Sequence, residues 1–238
     1  KELNVITEWV TKNHLSINTV KTQALVIGTN TNKYEFWLGD TPVEIKDSLK
    51  ILGVIIDSNL TFEEHLKAQL NKAYAKTNAL RRIRRFIPMH VMIQLYKAFI
   101  LPHLEYCGPV LIGITKTLSD KLEDANYYIL RTLLGLSKST SYDSILKLIN
   151  TSTLEQRRFS HVLILLFKCF NGIGPSYIAD FFKLRTVNYN LRGSGSKLEQ
   201  SSFHSKWRLN SFASIASHLW NTLPSNVRIA GNVTTFRD

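Results

Sequence analysis

LKAQLNKAYAKTNALRRIRRFIP, residues 66–88, sets the architecture of this chain. Leu66, Leu70, Ala73, Thr77 and Leu80 recur at alternating spacings of four and three, which stacks them on one face of an α-helix. On a helical wheel Lys67, Arg82 and Arg85 flank that stripe on one side, and Lys72 and Lys76 on the other. Arg84 would land among the apolar residues, so the helix is expected to end or turn near it. Pro88 then fits the first turn of a following helix, residues 89–101, because its missing N–H and fixed φ suit that position. Charge singles out the same region: residues 66–104 hold eight Lys or Arg and no carboxylate. Such a run makes a local positive field that attracts phosphate backbones or anionic lipid. A solvated face with no partner is the plainer alternative.

Downstream the helical pattern continues. Leu118, Leu122, Ala125 and Ile129 mark a helix ended by Gly135. Thr153 and Gln156 have the spacing of a capping box that starts a helix over 154–171, and Asn171-Gly172 stops it. Pro175 opens a short helix to Phe182. Phe212, Ile215, Ala216, Leu219, Trp220 and Leu223 share one face of a last helix that Pro224 ends. Residues 185–208 are rich in Ser, Gly and Asn and read as a polar loop. Upstream, residues 1–21 read as a helix with Leu3, Ile6, Trp9 and Val10 in its apolar stripe. Residues 22–28, 34–38, 43–45 and 49–56 read as short strands of a small antiparallel sheet. The expected fold is therefore α+β and predominantly α-helical, with the β-structure confined to the N-terminal part.

Composition narrows the function classes. The 238 residues carry a net charge of +12, and 44% of them are hydrophobic, enough for a sizeable core. Residues 1–65 are mildly acidic, with six Lys or Arg against nine Asp or Glu, so the positive charge lies farther on. Two cysteines, Cys107 and Cys169, are too few for a disulfide framework. With no secretory signal at the start, an intracellular, nuclear and cytoplasmic protein is expected. The longest apolar run, residues 162–167, is far short of the ~20 residues of a membrane span, and no membrane partner is expected. His65, His90, His103, His161, His204 and His218 show no zinc spacing with those cysteines. No Gly-rich phosphate loop, nucleophile elbow or Ser/His/Asp set is present. The chain begins at Lys1 rather than Met, so a fragment or processed product is expected.

Two further stretches carry a resemblance. WVTKNHLSINTVKTQALVIG, residues 9–28, and LKILGVIID, residues 49–57, followed by LTFEEH, resemble segments of the reverse transcriptases of non-LTR, jockey-like retrotransposons. The first resembles the palm segment with its Leu-x-x-Asn-x-x-Lys-Thr signature, here Leu15, Asn18, Lys21 and Thr22. The second resembles the primer-grip hairpin leading into the thumb. ALRRIRRFIP, LYKAFILPHLEYCGPVL, LEQRR, NGIGPSYI and SFASIASHLWNTLP are similar to the thumb and C-terminal tail of the same elements, in the same order.

The resemblance implies a C-terminal fragment of an RNA-directed DNA polymerase. Residues 1–58 would be the end of the palm, 59–135 a helical thumb and 136–238 a helical C-terminal extension. Lys21 would be a general acid toward pyrophosphate in the intact enzyme. Leu52 and Gly53 would form the primer grip, where a residue without Cβ lets backbones approach closely. Lys67, Lys76, Arg81, Arg82, Arg84 and Arg85 would contact the phosphates of an RNA template and DNA primer. The family's catalysis uses Mg2+ held by clustered carboxylates. This chain has no Asp-Asp, and its adjacent acids, Glu63-Glu64 and Glu123-Asp124, read as surface residues. The metal ligands would therefore lie in an upstream palm and fingers, and the fragment alone is expected to bind without extending. Trp207, Trp220 and the tyrosines are candidates for base stacking, with Trp220 read as core; Trp9 and Trp37 read as structural. A non-catalytic nucleic-acid-binding remnant and a basic helical membrane-surface or interaction protein stay open as alternatives.

Overall fold

A computed structural model describes residues 2–28, 34–185, 197–200 and 206–237. The first helix, α1 (Glu2–Lys12), is shorter than the expected 1–21, and a single 3-10 turn, Thr19–Lys21, follows it. Six short strands come next: β1 (Gln23–Ala24), β2 (Trp37–Leu38), β3 (Thr41–Pro42), β4 (Glu44–Ile45), β5 (Ser48–Ile51) and β6 (Val54–Asp57). The expected single antiparallel set is instead three separate pairs among the described residues. β2–β3 and β5–β6 are antiparallel hairpins, whereas β1 and β4 pair in parallel. Parallel pairing needs a connection between the strands, and residues 25–43 supply it.

Among the described residues the later elements are helices: α2 (Glu63–Ile83), α3 (Met89–Phe99), α4 (Leu101–Glu105), α5 (Lys116–Leu134), α6 (Tyr142–Leu148), α7 (Leu154–Phe170), α8 (Ser176–Ala179), α9 (Lys206–Leu209), α10 (Phe212–Thr222), α11 (Ser225–Arg228) and α12 (Val233–Arg237), with one antiparallel β-bridge between Leu184 and Leu198. At 57% helix with short strand pairs, the fold is α+β and mostly helical, as the sequence indicates. The local signals sit where the sequence puts them. α2 ends at Ile83 and passes into a 3-10 turn, Arg84–Phe86. Gly135 closes α5 in the left-handed region, and Thr153 and Gln156 form a complete capping box on α7.

The chain separates into two compact units, Lys1–Ala68 and Gln69–Asp238. The division falls inside α2, and the helices from α3 onward lie together in the second unit. There α5 packs on α3, α6 and α7, burying Met92, Tyr96, Leu122, Ile129, Leu133 and Ile145. On its other side α7 meets α10 and α12 over Val162, Leu166 and Phe167. Trp220, 4% exposed, is core as expected: it stacks on Phe236, which stacks on Phe167 at 4.4 Å between ring centres. Most of the polar run expected near 185–208, and the side chain of Trp207, lie outside the described residues.

Candidate nucleic-acid interface

In the N-terminal unit each signature proves to be a backbone device. Asn18 caps the 3-10 turn by accepting the Lys21 N–H on its side chain at 3.0 Å, and the Thr22 hydroxyl donates to the Asn18 carbonyl at 2.9 Å. The Asn-x-x-Lys-Thr spacing is thus a capped turn that presents Lys21 on the surface. The β5–β6 register, Ile51 opposite Val54, leaves Leu52-Gly53 as a two-residue turn. Both residues have positive φ, +47° and +89°, the pattern of a type I′ hairpin turn. Glycine adopts this freely; leucine does not, yet Leu52 sits there 90% exposed.

Behind the hairpin, the Asp57 carboxylate organises the approach to α2. It accepts the N–H groups of Asn59, Thr61 and Phe62 and the Thr61 hydroxyl, at 2.7–3.1 Å. Partial burial alone would raise its carboxyl, but these donors outweigh that and hold it below the usual carboxylate value. His65 is fully buried, and its Nδ1 accepts the Ile55 N–H on the open side of β6. The histidine and aspartate of LGVIID…LTFEEH therefore pin a hairpin to a helix start.

The acid-free stretch divides in two. Lys67, Lys72, Lys76, Arg81 and Arg82 on α2, and Arg85 just after it, are exposed. None of them forms an ion pair with a carboxylate among the described residues. The Lys76 ammonium lies 5.7 Å from the centre of the Phe99 ring. Nearby on α4, burial together with the Lys76 and Lys72 charges pushes His103 below its ordinary value. The other two cations close helix ends. Arg84 donates to the Thr132 carbonyl at 2.9 Å in the last turn of α5, and its guanidinium lies over Gly135, where a Cβ would come within 3.0 Å of it. Lys97 donates to the Ile149 carbonyl at the end of α6. Both place positive charge at the negative end of a helix. Arg84, grouped by sequence with the surface cations, is thus half-buried and engaged with carbonyl oxygen.

One expectation needs correction. Glu63, Glu64 and Asp124 are exposed, but Glu123 is not a surface residue. Tyr96 donates to Asn126, Asn126 to Tyr142, and Tyr142 to Glu123, at 2.6–2.7 Å. The second Glu123 oxygen accepts the Glu155 N–H at the start of α7. Burial, reinforced by Glu123, drives the Tyr142 phenol far above its ordinary value. Alongside, buried Arg158 donates to Ser119 at 2.6 Å, and Arg157 forms a two-pronged ion pair with Glu105. Sequence reading missed this network because its members lie far apart along the chain. Trp9 and Trp37, read as structural, are 59% and 53% exposed.

The described residues bring no three His, Cys, Asp or Glu side chains together as a metal site. No described helix is long and apolar enough to cross a membrane. No family model matches the chain, and no solved structure matches it. An uncharacterized protein of Caenorhabditis elegans is similar, 28% identical over 123 residues. That match covers 51% of this chain and 62% of the relative, so the chain spans less than two thirds of the protein it matches.

Proposed function

We propose that these residues belong to the part of an RNA-directed DNA polymerase of a jockey-like, non-LTR retrotransposon that follows its catalytic carboxylates. In this role they grip the backbone of an RNA–DNA duplex. The observation that carries the binding role is the set of six exposed cations from Lys67 to Arg85, with no carboxylate among residues 66–104 to neutralise them. Arginine forks match phosphate oxygens, and a cluster without acids binds by releasing counterions. Such contacts place a duplex without reading its sequence. The order of the sequence signatures supports the polymerase assignment. The turn that presents Lys21 and the Leu52-Gly53 hairpin fit the general-acid and primer-grip roles that the resemblance implies. Mg2+ and its ligands belong, in this reading, to a palm and fingers outside these residues, in a protein of the nucleus and cytoplasm.

A basic lipid-facing protein is the reading to eliminate. Binding of a labelled RNA–DNA hybrid and of anionic phospholipid vesicles is measured on the same 238-residue chain over a salt series. The proposal expects hybrid binding that weakens steeply with salt, weaker vesicle binding, and no primer extension with magnesium and nucleotides. Vesicle binding without hybrid binding removes it, and measurable extension means the catalytic carboxylates have been misplaced.

A further inference from the structure

Phe86 is 85% exposed, at the end of the 3-10 turn between α2 and α3. Folding does not put it there for packing, since exposing a phenyl ring forgoes the burial that stabilises aromatic residues elsewhere. The turn is held from beneath. Arg84 reaches inward to the Thr132 carbonyl and lies over Gly135, and Pro88 starts α3 two residues after Phe86. Around the ring in sequence stand Arg81, Arg82 and Arg85, all exposed. Ile83 and Met89 are partly exposed beside them. An exposed ring on a fixed turn, with exposed arginines one, four and five residues before it in sequence, has the parts of a site for an unpaired base: stacking on the ring, and phosphates on the guanidinium forks.

Building on the nucleic-acid reading above, we infer that Phe86 is a stacking post for an unpaired base of a strand that continues past the duplex. Charge complementarity favours this occupant, because no carboxylate lies within residues 66–104. A bilayer is the poorer fit. Ala73 and Thr77 of the α2 stripe are buried, and Leu70 and Leu80 are half-buried, so Ile83 and the turn after it are the main exposed apolar groups at this end of the helix. An interfacial helix needs a continuous apolar face.

The test compares a blunt RNA–DNA hybrid with the same hybrid carrying a single-stranded overhang. A fluorescent base analogue in the overhang reports stacking directly. The variants of the 238-residue chain are Phe86→Ala, Phe86→Leu and Phe86→Trp; at an exposed position all three keep the fold, which circular dichroism checks. Phe86→Ala is expected to weaken overhang binding about five- to thirty-fold and to abolish quenching of the analogue, leaving blunt binding within about twofold. Phe86→Leu is expected to behave like Ala, because an apolar side chain without a π-face cannot stack; Phe86→Trp should bind like the parent. Equal losses on both hybrids, or full binding by Phe86→Leu, overturn the inference while the duplex-binding reading stands. Loss of vesicle binding by Phe86→Ala with overhang binding unchanged assigns the ring to lipid and overturns it too. If the parent chain binds neither hybrid, both readings fall.

Discussion

The two units of this chain are ordered by different means. Lys1–Ala68 relies on local backbone devices: the Asn18 cap, the type I′ turn, the Asp57 carboxylate gathering three N–H groups, and His65 on the edge of β6. Among its described residues few large side chains are buried, and Val5, Ile6, Trp9, Leu15 and Val20 stay exposed. Gln69–Asp238 is ordered by long-range packing around α5 and α7 and by a buried polar network. Local devices fix a conformation but supply little hydrophobic free energy, which scales with the apolar area removed from water. The first unit should therefore be the easier to open and the second the more cooperative.

Truncation of apolar side chains should separate the two units most strongly. Leu166→Ala, in the core of the second unit, is expected to cost about 2–5 kcal/mol. Ile6→Ala on the exposed stripe of α1 should cost less than about 0.5 kcal/mol. Denaturant melts followed by helical signal measure both, and equal costs would mean that the α1 stripe is covered in the folded chain. Next in size is the polar network. Glu123→Ala strands the Tyr142 hydroxyl and the Glu155 N–H, at about 1–3 kcal/mol. The phenol of Tyr142 is raised in the fold, so its contribution is complete below the ordinary tyrosine value of 10.0 and lost as pH rises above it. A melting temperature that falls less at alkaline pH in Tyr142→Phe than in the parent would confirm this, with Tyr96 and Tyr74, whose phenols burial also raises, accounting for the fall that persists.

Smaller effects belong to the N-terminal devices. Asp57→Asn should cost about 1 kcal/mol and speed amide exchange at Asn59, Thr61 and Phe62. The carboxyl is depressed in the fold, so its stabilisation is present above the ordinary aspartate value of 3.8 and lost as pH falls through the lower folded value. Smallest is Leu52→Asn, which suits the left-handed conformation and should steady the hairpin by about 0.5 kcal/mol. No gain there would mean that Leu52 makes interactions that offset its strain.

The sequence was legible where the cause is local. The stripe on α2, the capping box at Thr153 and Gln156, and Gly135 at the end of α5 each lie within a few residues of what they determine. Trp220 was legible as core because its whole helix face repeats. What escaped depends on distant partners. Glu123 and Asp124 look alike in sequence, and only the packing of α6 and α7 on α5 separates a network member from a surface acid. The wheel put Arg84 on the apolar side of α2, but its carbonyl partner, and that of the exposed Lys97, are 48 and 52 residues away. The parallel pairing of β1 with β4 escaped for the same reason. The candidate interface was thus readable as charge and its signatures as spacing. Which cations face water came from the fold.

Whether the exposed cations of α2 and its closing turn grip a nucleic-acid backbone is decided by the salt dependence of RNA–DNA hybrid binding. The parent is compared with Arg81→Ala/Arg82→Ala/Arg85→Ala, and Arg84→Ala serves as the contrast. The triple variant should bind more weakly to every sequence, with a salt slope shallower by about 0.7–0.9 for each phosphate that it no longer neutralises. Arg84→Ala should lower the melting temperature and leave the slope unchanged. A triple variant with the parent's affinity and slope would mean that these arginines hold no phosphate, and the proposed grip would be wrong.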